Sequence, residues 1–145
     1  MESRVPPEHA AVNALAPFVH VADVLLTMRF YEQLGFVSED TMALEGVTFW
    51  GSMRSGAARI MFARADPLVE PEMQGVFFYM YSKDVITLRE HLITRGLRES
   101  TDTMGEVVPE ETGVIFPIAY PDHMPAGELR VHDPDGYCVL IGQKD

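Results

Sequence analysis

Apolar and polar positions follow the same rhythm twice along this chain. Leu15 to Val21 reads as a strand, Asp23 as a helix N-cap, and Val24, Met28 and Tyr31 as one helical face that Gly35 terminates. Gly75 to Ser82 reads as a second strand, Asp84 as a second N-cap, and Val85, Leu88 and Leu92 as a second stripe that ends at Gly96. Cap, stripe and stop recur with an offset of 61 residues at both ends (Asp23 to Asp84, Gly35 to Gly96), which marks an internal repeat.

Strands follow each helix. After Gly35 the predicted strands are Phe36 to Glu39, Val47 to Met53 and Ala58 to Ala63, with a turn at Arg54-Ser-Gly56. After Gly96 a strand is predicted near Arg98 to Thr101. The last hairpin then supplies two more, Glu128 to His132 and Tyr137 to Ile141, around Asp133-Pro-Asp-Gly136. In that turn Pro134 presets φ and Gly136 supplies positive φ. The second unit is longer, about 22 residues separating Gly35 from its final strand against 41 between Gly96 and Tyr137. An insertion therefore lies within 103–126, rich in Gly and Pro, with one strand-like island at Val114 to Tyr120. The domain reading is a loose polar N-terminal arm over residues 1–13 and one domain over 14–143. Module one covers about 14–66 and module two about 75–143.

Composition narrows the class. With 145 residues, 47% of them apolar, the chain is read as one folded soluble domain. No apolar run approaches the roughly 18 residues of a membrane span, and the start Met1 to Pro7 lacks a basic-then-apolar leader, so the expected location is cytoplasmic, with no membrane partner. The single cysteine, Cys138, suits a reducing compartment and, in a predicted strand, reads as a buried, inert thiol. A formal net charge of −11 argues against nucleic acid and favours either simple solubility or attraction of a cationic small ligand. Arg89, Arg95 and Arg98 read as a solvated helix face.

Two tandem βαβββ modules resemble the vicinal oxygen chelate superfamily of glyoxalase I, bleomycin resistance proteins and extradiol dioxygenases. The motifs that carry the resemblance are Phe30-Tyr31-Glu-Gln-Leu-Gly-Phe36 and Asp133-Pro-Asp-Gly-Tyr137. The resemblance implies an α+β fold with curled mixed sheets around a shared cavity, usually in a homodimer. Metal-dependent members hold a divalent ion with His or Glu on the first and last strands of each module. Those positions fall here on Ala16, Met61, Phe77 or Phe78, and Leu140, so no metal, no cofactor and no lyase or dioxygenase chemistry of that kind is expected.

A pocket remains. Strand alternation puts Phe18 and His20 on the face of Ala16, with Val19 and Val21 under the helix, and Phe77, Tyr79 and Tyr81 are the second-module equivalents. Trp50, Met53 and Met61 are candidate additions, His123 is placed at the mouth, and Glu128, Arg130 and His132 share one face of their strand. The expected ligand contacts are Phe18, His20, Trp50, Met61, Phe77, Tyr79, Tyr81, His123, Arg130 and Leu140, with no catalytic residue assigned. Plain core filling is the competing explanation for the aromatics, and a satisfied hydrogen bond for His20. Three functions follow. The first is metal-independent binding of an apolar or aromatic, even cationic, small molecule. The second is an isomerase, lyase or dioxygenase of the same superfamily with an atypical metal or acid–base site built on His20 and Glu128, a metal site of His20, Glu128 and His132 being a separate variant, and the third is a ligand-free structural domain.

Overall fold

The computed structural model of the chain describes residues 4–65, 70, 76–100 and 113–144. The first module contains β1 (Phe18–Val21), α1 (Val24–Glu32), β2 (Val37–Leu44), β3 (Val47–Ser55) and β4 (Ala58–Arg64). The second contains β5 (Phe78–Ser82), α2 (Val85–Thr94), β6 (Arg98–Glu99), β7 (Val114–Ile115), β8 (Glu128–His132) and β9 (Cys138–Gln143). Each module has its own sheet, with strand orders β1-β4-β3-β2 and β5-β9-β8-β7-β6.

The repeat extends to individual hydrogen bonds. Asp23 accepts from Leu26 N at 3.1 Å, and Asp84 accepts from Thr87 N at 3.0 Å. At the other ends Gly35 and Gly96 take φ of 105° and 104°, and the next residues donate back into the last helical turn, Phe36 N to Tyr31 O and Leu97 N to Leu92 O. Every one of these pairs is 61 residues from its counterpart. The first strand of each module lies parallel to the last, with Phe18 beside Met61 and Tyr79 beside Leu140.

Helices cover one face of each sheet, and the apolar residues beneath them form a single core. Val19, Val21, Met28, Tyr31, Met53 and Phe62 from module one pack in the same cluster as Phe78, Leu92, Leu129, Val131, Val139 and Ile141 from module two. Among the described residues neither α1 nor α2 packs on the opposite face of its sheet. Gly51 on β3 permits the close approach of α1, since a Cβ there would lie 2.5 Å from Met28 Sδ.

Three strand expectations change. β2 runs on to Leu44 and returns through Glu45-Gly46, both at positive φ, a two-residue hairpin turn whose twist matches the strands. β1 starts at Phe18 and not Leu15, which is exposed. In module two the neighbour of β8 is β7, within the strand-like island of the insertion, while the strand at Arg98 is only two residues long and lies outside β7 at the edge. The expected beginning at Gly75, the end at Thr101 and most of the early insertion fall outside the described residues.

Arg89 is also not a merely solvated charge. Its Nε donates to Phe116 O at 3.0 Å, tying α2 to the segment after β7.

The motifs Phe30-Tyr31 and Asp133 to Tyr137 meet in one clamp between the modules. Tyr31 OH donates to Asp133 Oδ2 at 2.8 Å, and Asp133 Oδ1 accepts from the backbone N–H of Asp135 and Tyr137 at 3.0 and 2.9 Å. Asp135 accepts from Ala22 N and Thr27 Oγ1, and Tyr137 OH donates to His20 O at 2.8 Å. Gly113 closes the same region: at φ +84°, a Cβ would stand 2.6 Å from Phe30 Cε2 and 2.8 Å from His132 O. Gly113→Ala is therefore expected to cost about 2–3 kcal/mol, from the positive φ and a clash with backbone that cannot move aside, measured by urea denaturation against wild type.

Candidate functional site

The open face of the first sheet is fixed by register. Phe18 lies beside Met61, His20 beside Ala63, and Ala63 is paired across β3 with Trp50, so Phe18, His20, Met61 and Trp50 share the face away from α1. Val19 and Val21 are buried under the helix, as alternation requires. Phe18 is 54% exposed, His20 is exposed, and their rings meet edge to face at 6.4 Å. Met53 does not belong here: three residues from Trp50, it points to the opposite face and is fully buried in the core.

On the second sheet Tyr79, Leu140 and Arg130 stand in one row across β5, β9 and β8, and Tyr81, Gly142 and Glu128 in the next. Tyr79 leans over Gly142, its hydroxyl donating to Glu128 Oε2 at 2.7 Å. His123 Nε2 reaches the same oxygen at 2.7 Å, a contact that needs the ring proton on Nε2. Burial first, then the hydrogen bond and charge of Glu128, push the Tyr79 phenol up to about 12, so Tyr79 remains the donor. His123 therefore sits on Glu128, at the edge of this face. Phe77, just before β5, is 65% exposed.

Deeper on that sheet His132 is buried, its Nε2 accepting from Arg130 Nε at 3.2 Å, while the Arg130 guanidinium lies 4.7 Å from the Phe116 ring centre. Burial and then Arg130 lower the His132 pKa to about 4, leaving a neutral imidazole. Burial raises the Cys138 thiol, which fits the inert cysteine expected from the sequence.

The predicted contacts thus form two groups on two sheets: Phe18, His20, Trp50 and Met61 on the first, and Tyr79, Tyr81, Arg130, Leu140 and His123 on the second. Clefts lie between the modules. One, of about 290 Å³, joins Phe18 and His20 to Val76, Phe78 and Tyr137, and another, of about 490 Å³, joins Leu15 and Ile60 to Phe77 and Tyr79. Met124, Phe116, Lys144 and the Asp133 clamp were not anticipated as neighbours of the site; the 61-residue offset that equates His20 with Tyr81 is the sequence feature closest to revealing the arrangement.

No protein family and no curated protein matches the sequence. Solved structures match its fold. A bleomycin resistance determinant encoded on the transposon Tn5 aligns over 92% of this chain and 99% of its own, with a TM-score of 0.66 and 18% identity. The bleomycin-binding protein from Streptomyces verticillus, complexed with copper(II)-bleomycin, aligns over 92% and 99% with a TM-score of 0.64 and 20% identity. A fosfomycin resistance protein from Listeria monocytogenes, complexed with manganese(II), aligns over 92% and 94% with a TM-score of 0.62 and 13% identity. The fold is that of the vicinal oxygen chelate superfamily.

At the four positions that the resemblance assigns to metal ligands, the residues present do not suit a divalent ion. Met61 and Leu140 are structural equivalents, each beside the first strand of its module, and Ala16 and Phe77 are 61 residues apart. Phe77 and not Phe78 is on the open face, since Phe78 is buried in the core. None of the four side chains offers a nitrogen or oxygen donor, and the thioether of Met61 suits only soft metals. Among the described residues no group of three His, Cys, Asp or Glu converges, which also removes the set His20, Glu128 and His132. His20 and Glu128 stand on different sheets, and His132 Nε2 is already an acceptor for Arg130.

Proposed function

We propose that this chain is a small-molecule-binding protein that sequesters flat apolar or aromatic compounds, cationic ones included, without converting them and without a metal of its own. The observation that carries the reading is the set of aromatic side chains left in solvent on the sheet faces away from α1 and α2: Phe18, Phe77, Tyr79 and Tyr81. Core filling does not account for side chains that face away from the core. The net charge of −11 favours cationic ligands, and the antibiotic-binding proteins that share the fold give the reading a precedent. A second copy of the chain covering these faces, a homodimer in the cytoplasm, is part of the same proposal. No helix among the described residues is long and apolar enough to cross a membrane.

Trp50 is the only tryptophan and stands half-buried on the first open face, so its emission reports on that face. Titration with bleomycin and with a panel of flat aromatic amines is expected to quench or shift Trp50 emission and to raise the melting temperature, with sedimentation velocity showing a dimer. Unchanged emission and melting across the panel would sink the reading. Stoichiometric Ni, Zn, Fe or Mn in protein purified without chelator would overturn its metal-independent part.

A further inference from the structure

On the second open face the aromatics of the ligand reading stand beside two charged side chains, Glu128 and Lys144, to which that reading gives no task. Tyr79 and Tyr81 are 5.4 Å apart between ring centres, and Lys144 sets its ammonium 4.8 Å from the centre of the Tyr81 ring. Glu128 lies on the same row as Tyr81, separated from it by Gly142, over which Met124 Cε and the Tyr79 hydroxyl lean, 2.6 and 3.1 Å from where a Cβ would stand. Tyr79 and His123 both bond Glu128 Oε2, and among the described residues no donor reaches Oε1. The Glu128 side chain is only 12% exposed, yet this oxygen keeps contact with solvent and so with an incoming ligand.

Two aromatic faces beside a carboxylate oxygen with spare lone pairs are the elements by which a protein holds an organic ammonium ion: the ring quadrupole attracts the cation, and the carboxylate supplies full charge. Lys144 shows that the Tyr81 face accepts an ammonium in this chain. Its ammonium rests on the ring and, among the described residues, pairs with no carboxylate, although the protein carries 22 acidic residues against 11 basic ones. A solvated lysine on so acidic a surface has many carboxylates to choose from; this one sits where a ligand cation would.

We infer that Tyr79, Tyr81 and Glu128 form a subsite for a primary or quaternary ammonium group of a small ligand, and that Lys144 occupies its aromatic face until such a ligand displaces it. The inference rests on the sequestration reading above and adds the group that is recognised and a residue that competes for the place. Lys144 thereby sets a threshold: weak cations lose to a tethered lysine, while a ligand whose flat ring also binds the open face wins.

The test uses two probes that share a naphthylmethyl group and carry a neutral or a cationic head, 2-naphthylmethanol and (2-naphthylmethyl)trimethylammonium, titrated into wild type, E128Q and K144A by isothermal calorimetry. The ammonium probe is expected to bind wild type about tenfold more tightly than the alcohol, and E128Q to bring that preference close to one. K144A is expected to strengthen the ammonium probe several-fold and widen its preference over the alcohol. Lys144 is an exposed side chain, so K144A tests the idea even where E128Q lowers the melting temperature. Equal affinities of wild type for the two probes, or a K144A protein no tighter for the cation, would overturn the subsite while leaving the sequestration reading standing. If neither probe binds at millimolar concentration, that reading fails and the subsite with it.

Discussion

Asp133→Ala is expected to lower unfolding stability by about 3 kcal/mol or more, whereas Asp133→Asn should cost about 1 kcal/mol or less at neutral pH. Asp133 is 1% exposed, and its two oxygens take three hydrogen bonds, from Tyr31 OH and from the N–H groups of Asp135 and Tyr137. Alanine leaves three donors without an acceptor, two of them buried and the Asp135 N–H partly so, each buried one costing about 1–3 kcal/mol, against which stands the relief of no longer burying a carboxyl group. Asparagine keeps an acceptor for the two N–H groups and turns its NH₂ toward the Tyr31 oxygen, which can accept. Tyr31→Phe loses a single bond and should fall between, at about 1–2 kcal/mol. Since a domain of this size has only about 5–15 kcal/mol in all, the alanine variant loses a large fraction of it. Urea denaturation followed by far-UV circular dichroism gives the order; an alanine variant as stable as the asparagine one would show that the clamp holds nothing together.

The clamp also explains why the two sequence motifs are such good markers of the fold. Phe30-Tyr31 and Asp133 to Tyr137 are about a hundred residues apart, and nothing local to either says that they touch. What was legible was local. Asp23 and Asp84 cap helices, Gly35 and Gly96 stop them, and the alternation of Ala16, Phe18 and His20 against Val19 and Val21 gives the faces of β1, because each depends on a few consecutive residues. Pairing decided the remainder. Trp50 and Met53 were both candidates for the pocket, yet a spacing of three forbids one face for both, and only the register of β3 against β4 selects Trp50. β7 is two residues long and takes its place beside β8 from hydrogen bonds to residues 16 and 18 positions away. The union of Tyr79, Glu128 and His123 depends on a hairpin, a loop and the bare backbone of Gly142 arriving together, which no single stretch encodes.

Asp133→Asn and His132→Gln are expected to tilt the pH dependence of stability in opposite directions between about pH 4.5 and 6.5. Burial, partly opposed by its hydrogen bonds, raises Asp133 from an ordinary 3.8 to about 7. Through that window the folded protein keeps a proton that the unfolded chain has released, so this residue's contribution to stability is complete below about pH 4 and is lost as pH rises through 7. The full displacement, from 3.8 to about 7, corresponds to about 4 kcal/mol. Asp135, raised chiefly by its own burial, acts in the same direction. The adjacent His132 acts in the other. Burial and the neighbouring Arg130 guanidinium lower it from 6.5 to about 4, so the unfolded chain binds a proton that the folded one refuses, and its contribution is complete above pH 6.5 and lost as pH falls toward 4. The two slopes oppose each other over the same range. Relative to wild type, Asp133→Asn should therefore make stability rise more steeply with pH by up to about 1.4 kcal/mol per pH unit, and His132→Gln should make it fall by a similar amount. Glutamine keeps an oxygen to accept from Arg130, and asparagine keeps the Asp133 hydrogen bonds, so neither change removes a partner along with the proton. Urea midpoints at half-unit intervals of pH give the slopes, and the double variant should return to the wild-type slope. Single-variant slopes indistinguishable from wild type would mean that neither group holds its shifted protonation in the folded chain.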